Sequence, residues 1–278
     1  MKRVVLCADD FGQWAGVDAG ILRLAEAGRL TAVSCLAQGP CWARDAAALL
    51  GRADALDAGL HLDLTDGSGG APPTALGRLV ARSYARRLDR DEVEGRIDAQ
   101  LAAFERAAGR PPAFVDGHRH VHQLPVVRDA LLRRLRARYR RAMPFVRCTV
   151  PRRARGAKAL VVAVLGGFAL RRALQRDGVP HNHDFAGVYG FDPEADYPRL
   201  MRRWLADVED GGLILCHPGI PGGAPGDPIA PARAAELRYL ESAAFREDCA
   251  RAGVAISRLG ESIRRAEPAL STPSRPTR

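Results

Sequence analysis

The chain has 278 residues, 47% hydrophobic and 27% charged, and a formal net charge of +10. That is enough to bury a sizeable core, and the composition is that of an ordinary globular protein rather than a disordered or fibrous one. Almost every cation is arginine, with lysine only at positions 2 and 158. These arginines are spread along the chain with no aromatic-interleaved basic motif or zinc finger, so no nucleic-acid partner is expected.

In chain order, the first element is the apolar run Val4 to Ala8, which stops at Asp9-Asp10. It is shorter than a signal-peptide core of about 7–15 residues. A helix follows over Val17 to Ala27, with Gly28 as its stop. Strands between residues 30 and 60 are weakly marked, until Ala58-Gly59-Leu60 ends at His61. Helical spacing returns over Asp91 to Ala108. Ala113-Phe114-Val115 then runs into Asp116 and the segment His118-Arg119-His120-Val121-His122. Helices are expected over Pro125 to Arg138, Tyr197 to Val208 and Pro231 to Ala252, and a last clear strand, Leu213 to Cys216, ends at His217.

Short apolar runs that end in polar chemistry, alternating with helices, describe a parallel sheet covered by helices. The expected architecture is a (β/α) barrel, TIM-like, regular or irregular, with its site at the C-terminal ends of the strands; a doubly wound open sheet is the alternative. One domain is expected over residues 1–263, with a disordered proline-rich tail over 264–278. Six cysteines without a C-x-x-C pair suit a reducing compartment. The longest apolar stretch, Ala159 to Leu170, is below the roughly 20 residues of a membrane span, so a cytoplasmic protein is expected. Pro151 to Arg176 pairs arginine clusters with an apolar middle; it is either a peripheral membrane contact or a barrel helix with solvated ends.

Five of the seven histidines sit at or just past strand ends, beside a paired Asp-Asp. Imidazole plus carboxylate is a standard ligand set for a catalytic divalent ion. Successive residues leaving a strand point in different directions, so one aspartate can hold metal while the other faces a water and takes its proton. His217, arriving from a distant strand, suits a general acid. If the segment stays extended, His118, His120 and His122 share one face and one or two of them are ligands. Asp116 is either the carboxylate that orients an imidazole or a turn residue. A metal-dependent phosphoesterase is a second reading, although such sites usually need more ligands. A non-catalytic sugar-binding protein is a third. A glycosidase would not need the histidines.

Four motifs carry a resemblance: Ala8-Asp9-Asp10-Phe11-Gly12, Gly59-Leu60-His61-Leu62-Asp63-Leu64-Thr65, Asp116-Gly117-His118-Arg119-His120-Val121-His122 and His217-Pro218-Gly219. In order and spacing they resemble the YdjC-like carbohydrate deacetylases, a family that includes chitooligosaccharide deacetylases and hopanoid-pathway members. Phe185-Ala186-Gly187-Val188-Tyr189 and the helix from Arg233 to Leu240 extend the likeness, which spans roughly residues 3 to 260. It implies a (β/α)-barrel-like fold and removal of an N-acetyl group from an amino sugar on an oligosaccharide or lipid-linked glycan. It further implies one divalent ion, Mg2+ or Zn2+, held by Asp10, His61 and His118, with Asp9 as base and His217 as acid. His120, His122, Arg119 and Asp63 fall to substrate binding, and a homodimer is compatible with the family. Arg119 stands where the family often has histidine. It follows the ligand His118 and is expected to point away from the ion.

Overall fold

The structure, a computed structural model, describes residues 1–140, 142–221 and 226–263; the expected tail over 264–278 lies outside them. Eight strands alternate with helices: β1 (Lys2–Phe11), α1 (Ala15–Glu26), β2 (Ala32–Cys35), α2 (Trp42–Leu50), β3 (Asp57–Leu62), α3 (Leu76–Tyr84), α4 (Arg90–Ala108), β4 (Phe114–Gly117), α5 (Val127–Arg138) and β5 (Phe145–Val146). There follow α6 (Ala157–Val162), α7 (Phe168–Arg176), β6 (Asp184–Ala186), α8 (Tyr197–Asp207), β7 (Gly212–Cys216), α9 (Ala230–Glu241), α10 (Ala243–Arg251), β8 (Val254–Ile256) and α11 (Leu259–Ile263).

All observed pairings are parallel, in the order β5-β4-β3-β2-β1-β7-β6, with β8 against the start of β1. Strands thus follow chain order around a curve, without the reversal of a doubly wound sheet. The ring is irregular: β5 and β6 do not pair, and their seam is stitched by Val146 N–H to Pro180 O and by Asn182, whose amide bonds both backbone groups of Cys148. The fold is therefore a (β/α) barrel left partly open, a half-barrel of parallel strands wrapped by helices. The expected helix Pro231 to Ala252 is two helices. Ser242 breaks it, with extended backbone and a hydroxyl that caps α10 by accepting from Phe245 N–H.

Strand periodicity sorts residues into two clusters. Val4, Leu6 and Ala8 of β1, Leu60 of β3, Val115 of β4 and Ile214 of β7 pack outward in the larger cluster. Val5, Cys7, Phe114, Leu213 and Leu215 fill the barrel with Phe185 and with Leu259 and Ile263 of α11. Gly59 is part of this interior. A side chain there would meet the Phe114 ring at 2.5 Å, so only glycine lets that ring fill the centre. The same alternation carries Ser34, Asp9, His61, Asp116 and His217 onto the inner face. Each is at the C-terminal end of its strand, so side-chain parity alone gathers them at one mouth. No helix among the described residues is long and apolar enough to cross a membrane.

Candidate active site

The mouth opens into a cleft of about 770 Å³ lined by Asp9, Asp10, His61, His118, His120 and His217 among others. The two aspartates diverge because β1 carries one extra residue there. Ala8 pairs with Val33 and Phe11 with Cys35, and Asp10 takes the left-handed conformation (φ 73°) that aspartate tolerates better than most side chains. Asp9 continues the inner row while Asp10 is turned across the mouth.

Asp10, His61 and His118 offer one donor atom each, all within 4.8 Å of one another. Asp10 Oδ1 lies 3.3 Å from His61 Nε2 and 2.9 Å from His118 Nδ1. The other nitrogen of each ring is held by a carboxylate: His61 Nδ1 by Asp116 at 2.6 Å, His118 Nε2 by Asp66 at 3.1 Å. Carboxylates that orient two imidazoles in this way are what a bound cation demands of its surroundings. Asp116 is thus the orienting carboxylate of the two readings open from sequence. Electrostatics agree. Burial disfavours charge on His61, yet Asp116, Asp9 and Asp10 raise it to about 10; His118, also buried, is raised to about 9 by Asp10 and Asp66. A pocket that holds two protons against burial is one that favours a cation, and its donor set fits a divalent ion.

Asp9 is gripped by both oxygens, with Arg147 Nη1 and Nη2 each donating at 2.6 Å. The same guanidinium lies 2.5 Å from Asp116 Oδ2, and its side chain is fully buried. It occupies the space among Cys7, Asp9 and Asp116, another trio of metal-type donors. On the far side of Asp10, Arg233 from α9 donates to Oδ2 at 2.7 Å and to Asp227 at 2.5 Å. The His217 backbone N–H donates to Glu236 at 2.6 Å, and Glu236 also accepts from Tyr189 Oη. Burial pushes Glu236 up to about 7 and His217 down to about 4. The His217 ring meets Phe191 edge-on, and its Nδ1 has no partner among the described residues.

The segment after His118 is not extended. It is a 3-10 turn in which Arg119 (φ 53°) and His120 (φ 60°) are left-handed. The three rings consequently diverge. His118 joins Asp10, and His120 turns into the barrel against Phe185 while still lining the cleft. His122 is fully buried, donates to Arg147 O at 3.0 Å and does not line the cleft. Its expected contact with substrate is therefore corrected to support of the Arg147 backbone. Asp63 is corrected likewise: buried away from the cleft, it accepts from Thr65 and Asp66 N–H groups and so shapes the loop that presents Asp66. Arg119 lines the cleft and pairs with Asp66 at 3.1 Å.

Asp66, Arg147, Arg233 and Glu236 were not singled out for the site from sequence. Arg147 follows a two-residue strand without a motif, and Arg233 and Glu236 sit on a helix distant in the chain from their partners. Asp66, one residue past the motif ending at Thr65, was within reach.

Comparison with known proteins agrees with this architecture. The sequence profile of the YdjC-like protein family matches residues 3–251. A human protein named carbohydrate deacetylase is 31% identical over 99% of this chain and 95% of its own length. A chitooligosaccharide deacetylase of Serratia marcescens is 34% identical over 45% of this chain and 53% of its own. A crystal structure from Enterococcus faecalis, described as a candidate cellobiose-phosphate cleavage protein, superposes with a TM-score of 0.68 at 20% identity, covering 94% of this chain and 98% of that one. The chain belongs to the YdjC-like protein family.

Proposed function

We propose that this protein hydrolyses the N-acetyl group of an N-acetylated amino sugar, with one divalent cation held by Asp10, His61 and His118. The observation that carries the reading is the convergence of those three donors in the cleft that Asp9 and His217 also line. The names of the human and Serratia relatives supply the substrate class. An acetylated oligosaccharide or lipid-linked glycan is the substrate, and magnesium or zinc the ion.

A bound ion supplies Lewis acidity toward the amide and makes a water easier to deprotonate. The chain's own groups do the rest. Asp9, fixed by Arg147, accepts the proton as water oxygen attacks the acetyl carbon. His217 rests neutral, because burial holds it near 4. The anionic tetrahedral adduct beside it then favours the imidazolium: His217 takes up a proton from solvent and passes it to the sugar nitrogen as the C–N bond breaks, while Asp9 returns the proton it took from water to solvent. Acetate and a free amine leave. Arg119 and His120, both at the cleft wall, contact the sugar, while Trp14 and Phe191 offer apolar faces to the ring.

The test is direct. Protein supplied with zinc or magnesium is incubated with N-acetylglucosamine oligosaccharides and, separately, with a phosphate monoester, and acetate and phosphate are assayed. Acetate without phosphate is expected. Phosphate without acetate overturns the reading, and acetate release at an unchanged rate by His118→Ala overturns the ligand assignment.

A further inference from the structure

The rim of the cleft carries an apolar ridge that the proposed reaction does not use. Leu160, Val161, Val164, Leu165 and Phe168 are 36% to 61% exposed; among the described residues the only other large apolar side chains so exposed are Met1 and Tyr84. Leu160, Val161 and Val164, at i, i+1 and i+4, share one helical face, and Leu165 and Phe168 continue the exposed apolar surface across the turn that follows. This surface joins the end of α6 to the start of α7, and Lys158 and Val162 of the same α6 line the cleft.

Two features separate this ridge from an incidental scatter of surface hydrophobes. The first is that its backbone is built. Between α6 and α7 the helix passes through a π turn, with Leu165 and Gly166 outside helical geometry (Gly166 φ 114°). The carbonyls displaced by that kink are satisfied from inside: Gln123 Nε2 donates to Val162 O at 2.7 Å and to Leu165 O at 3.1 Å. Gln123 is in turn held by the Thr149 hydroxyl. Gly166 lies so close to Gln123 O that an added Cβ would sit 2.3 Å from it. The apolar side chains are thus held outward by a fixed polar clamp, at a solvation cost the fold of this region does not itself recover.

The second feature is charge. No aspartate or glutamate occurs between Pro151 and Arg176. Arg171 and Arg172, one turn past Phe168, form no ion pair with a described residue, and Arg171 stacks over the Phe168 ring at 5.4 Å. An apolar ridge with unpaired guanidinium groups at its edge matches the boundary of an anionic bilayer, where acyl chains receive the apolar groups and headgroup phosphates the cations. We propose that residues 160–172 dock this protein onto an anionic phospholipid surface, with the mouth of the cleft next to the headgroups. The docking does not depend on which bond the site cleaves.

The experiment is co-sedimentation of the full chain with vesicles of phosphatidylcholine alone and of phosphatidylcholine mixed with phosphatidylglycerol, at low and high salt. Binding to the mixed vesicles, weakened by salt and weak on phosphatidylcholine alone, is expected. Leu160→Ser combined with Val164→Ser should weaken it about tenfold or more, since both apolar groups would then enter the lipid boundary as polar ones. Arg171→Gln combined with Arg172→Gln should weaken it by about thirtyfold, at about fivefold per cation. The serine pair changes exposed positions and the glutamine pair one half-buried and one exposed position, and circular dichroism spectra matching the parent keep a loss of binding from being a loss of fold. Equal sedimentation of parent and variants with the mixed vesicles overturns the proposal. So does a parent dimer in sedimentation velocity that the same serine pair converts to monomer, because the ridge would then be covered by a second copy. Hydrolysis of soluble acetylated oligosaccharides is read in parallel: its failure with vesicle binding intact bears on the proposed reaction alone.

Discussion

Replacing Arg147 by methionine keeps most of the side-chain length and removes the charge, leaving two carboxylates facing each other in the barrel. Asp9 is 2% exposed and Asp116 is fully buried, and both lie within 2.6 Å of the guanidinium that would disappear. Removing one partner of a buried ion pair costs about 3–5 kcal/mol, because the remaining charge is neither solvated nor compensated. For a chain of this size that lowers the thermal midpoint by about 6–20 °C, at roughly 2–4 °C per kcal/mol. Activity should fall by about 10² or more, since Asp9 loses the fork that fixes both its oxygens. The electrostatic origin can be separated from packing by a second change. Arg147→Met combined with Asp116→Asn carries one fewer uncompensated charge and should regain part of the lost stability, whereas two independent packing defects would add. Thermal unfolding by circular dichroism and acetate release from an acetylated oligosaccharide read the two effects. A single variant within about 1 kcal/mol of the parent, or a double variant no more stable than the single, would refute the argument.

Other outcomes follow from the same geometry. His118→Ala removes a donor and should abolish high-affinity zinc binding in calorimetry. His217→Ala should leave zinc binding intact and lower kcat by about 10²–10⁴; loss of zinc binding by the latter would make His217 a ligand. Asp18, buried under Gly12 N–H and near Asp45, is raised to about 8 by burial first and by Asp45 second. The folded chain therefore binds a proton there that the unfolded chain releases near pH 4, so this group's contribution favours folding at low pH and declines as pH rises toward 8. Asp18→Asn fixes the neutral form and should flatten the fall in stability over that window by up to about 1.4 kcal/mol per pH unit. Urea midpoints at pH 5 and pH 7.5 measure the difference, and parallel slopes would sink the assignment.

The order of the fold was legible because strand ends are conspicuous: a few apolar residues and then a titratable one, as at Asp9, His61 and His217. Parity did the remaining work, since all three share the inner face with Val5, Gly59 and Leu215. Where the backbone left ordinary geometry, the reading failed. Alternating histidines at 118, 120 and 122 suggest one face only if the chain is extended, and nothing in Arg119 or His120 announces φ above 50°. The helix over 231–252 was broken by a serine, a residue common inside helices as well as at their caps.

The counter-charges failed for a different reason. A candidate ligand is recognisable from sequence when its residue type is scarce and its neighbours are fixed by a motif, as for the proposed ligands His61 and His118 among seven histidines. Arg147 and Arg233 belong to a chain whose cations are almost all arginine, most of them on the surface, where ion pairs contribute little. What distinguishes the two is burial against Asp9, Asp116 and Asp10, and that is a property of the assembled half-barrel rather than of any local pattern. Folding of the half-barrel brings together residues 9, 116, 147 and 233, which no window of the chain contains at once. The carboxylates that the proposed chemistry needs would repel one another at the mouth without these two guanidiniums. The same residues that escape a motif search are therefore the ones that let the strands gather around the motif.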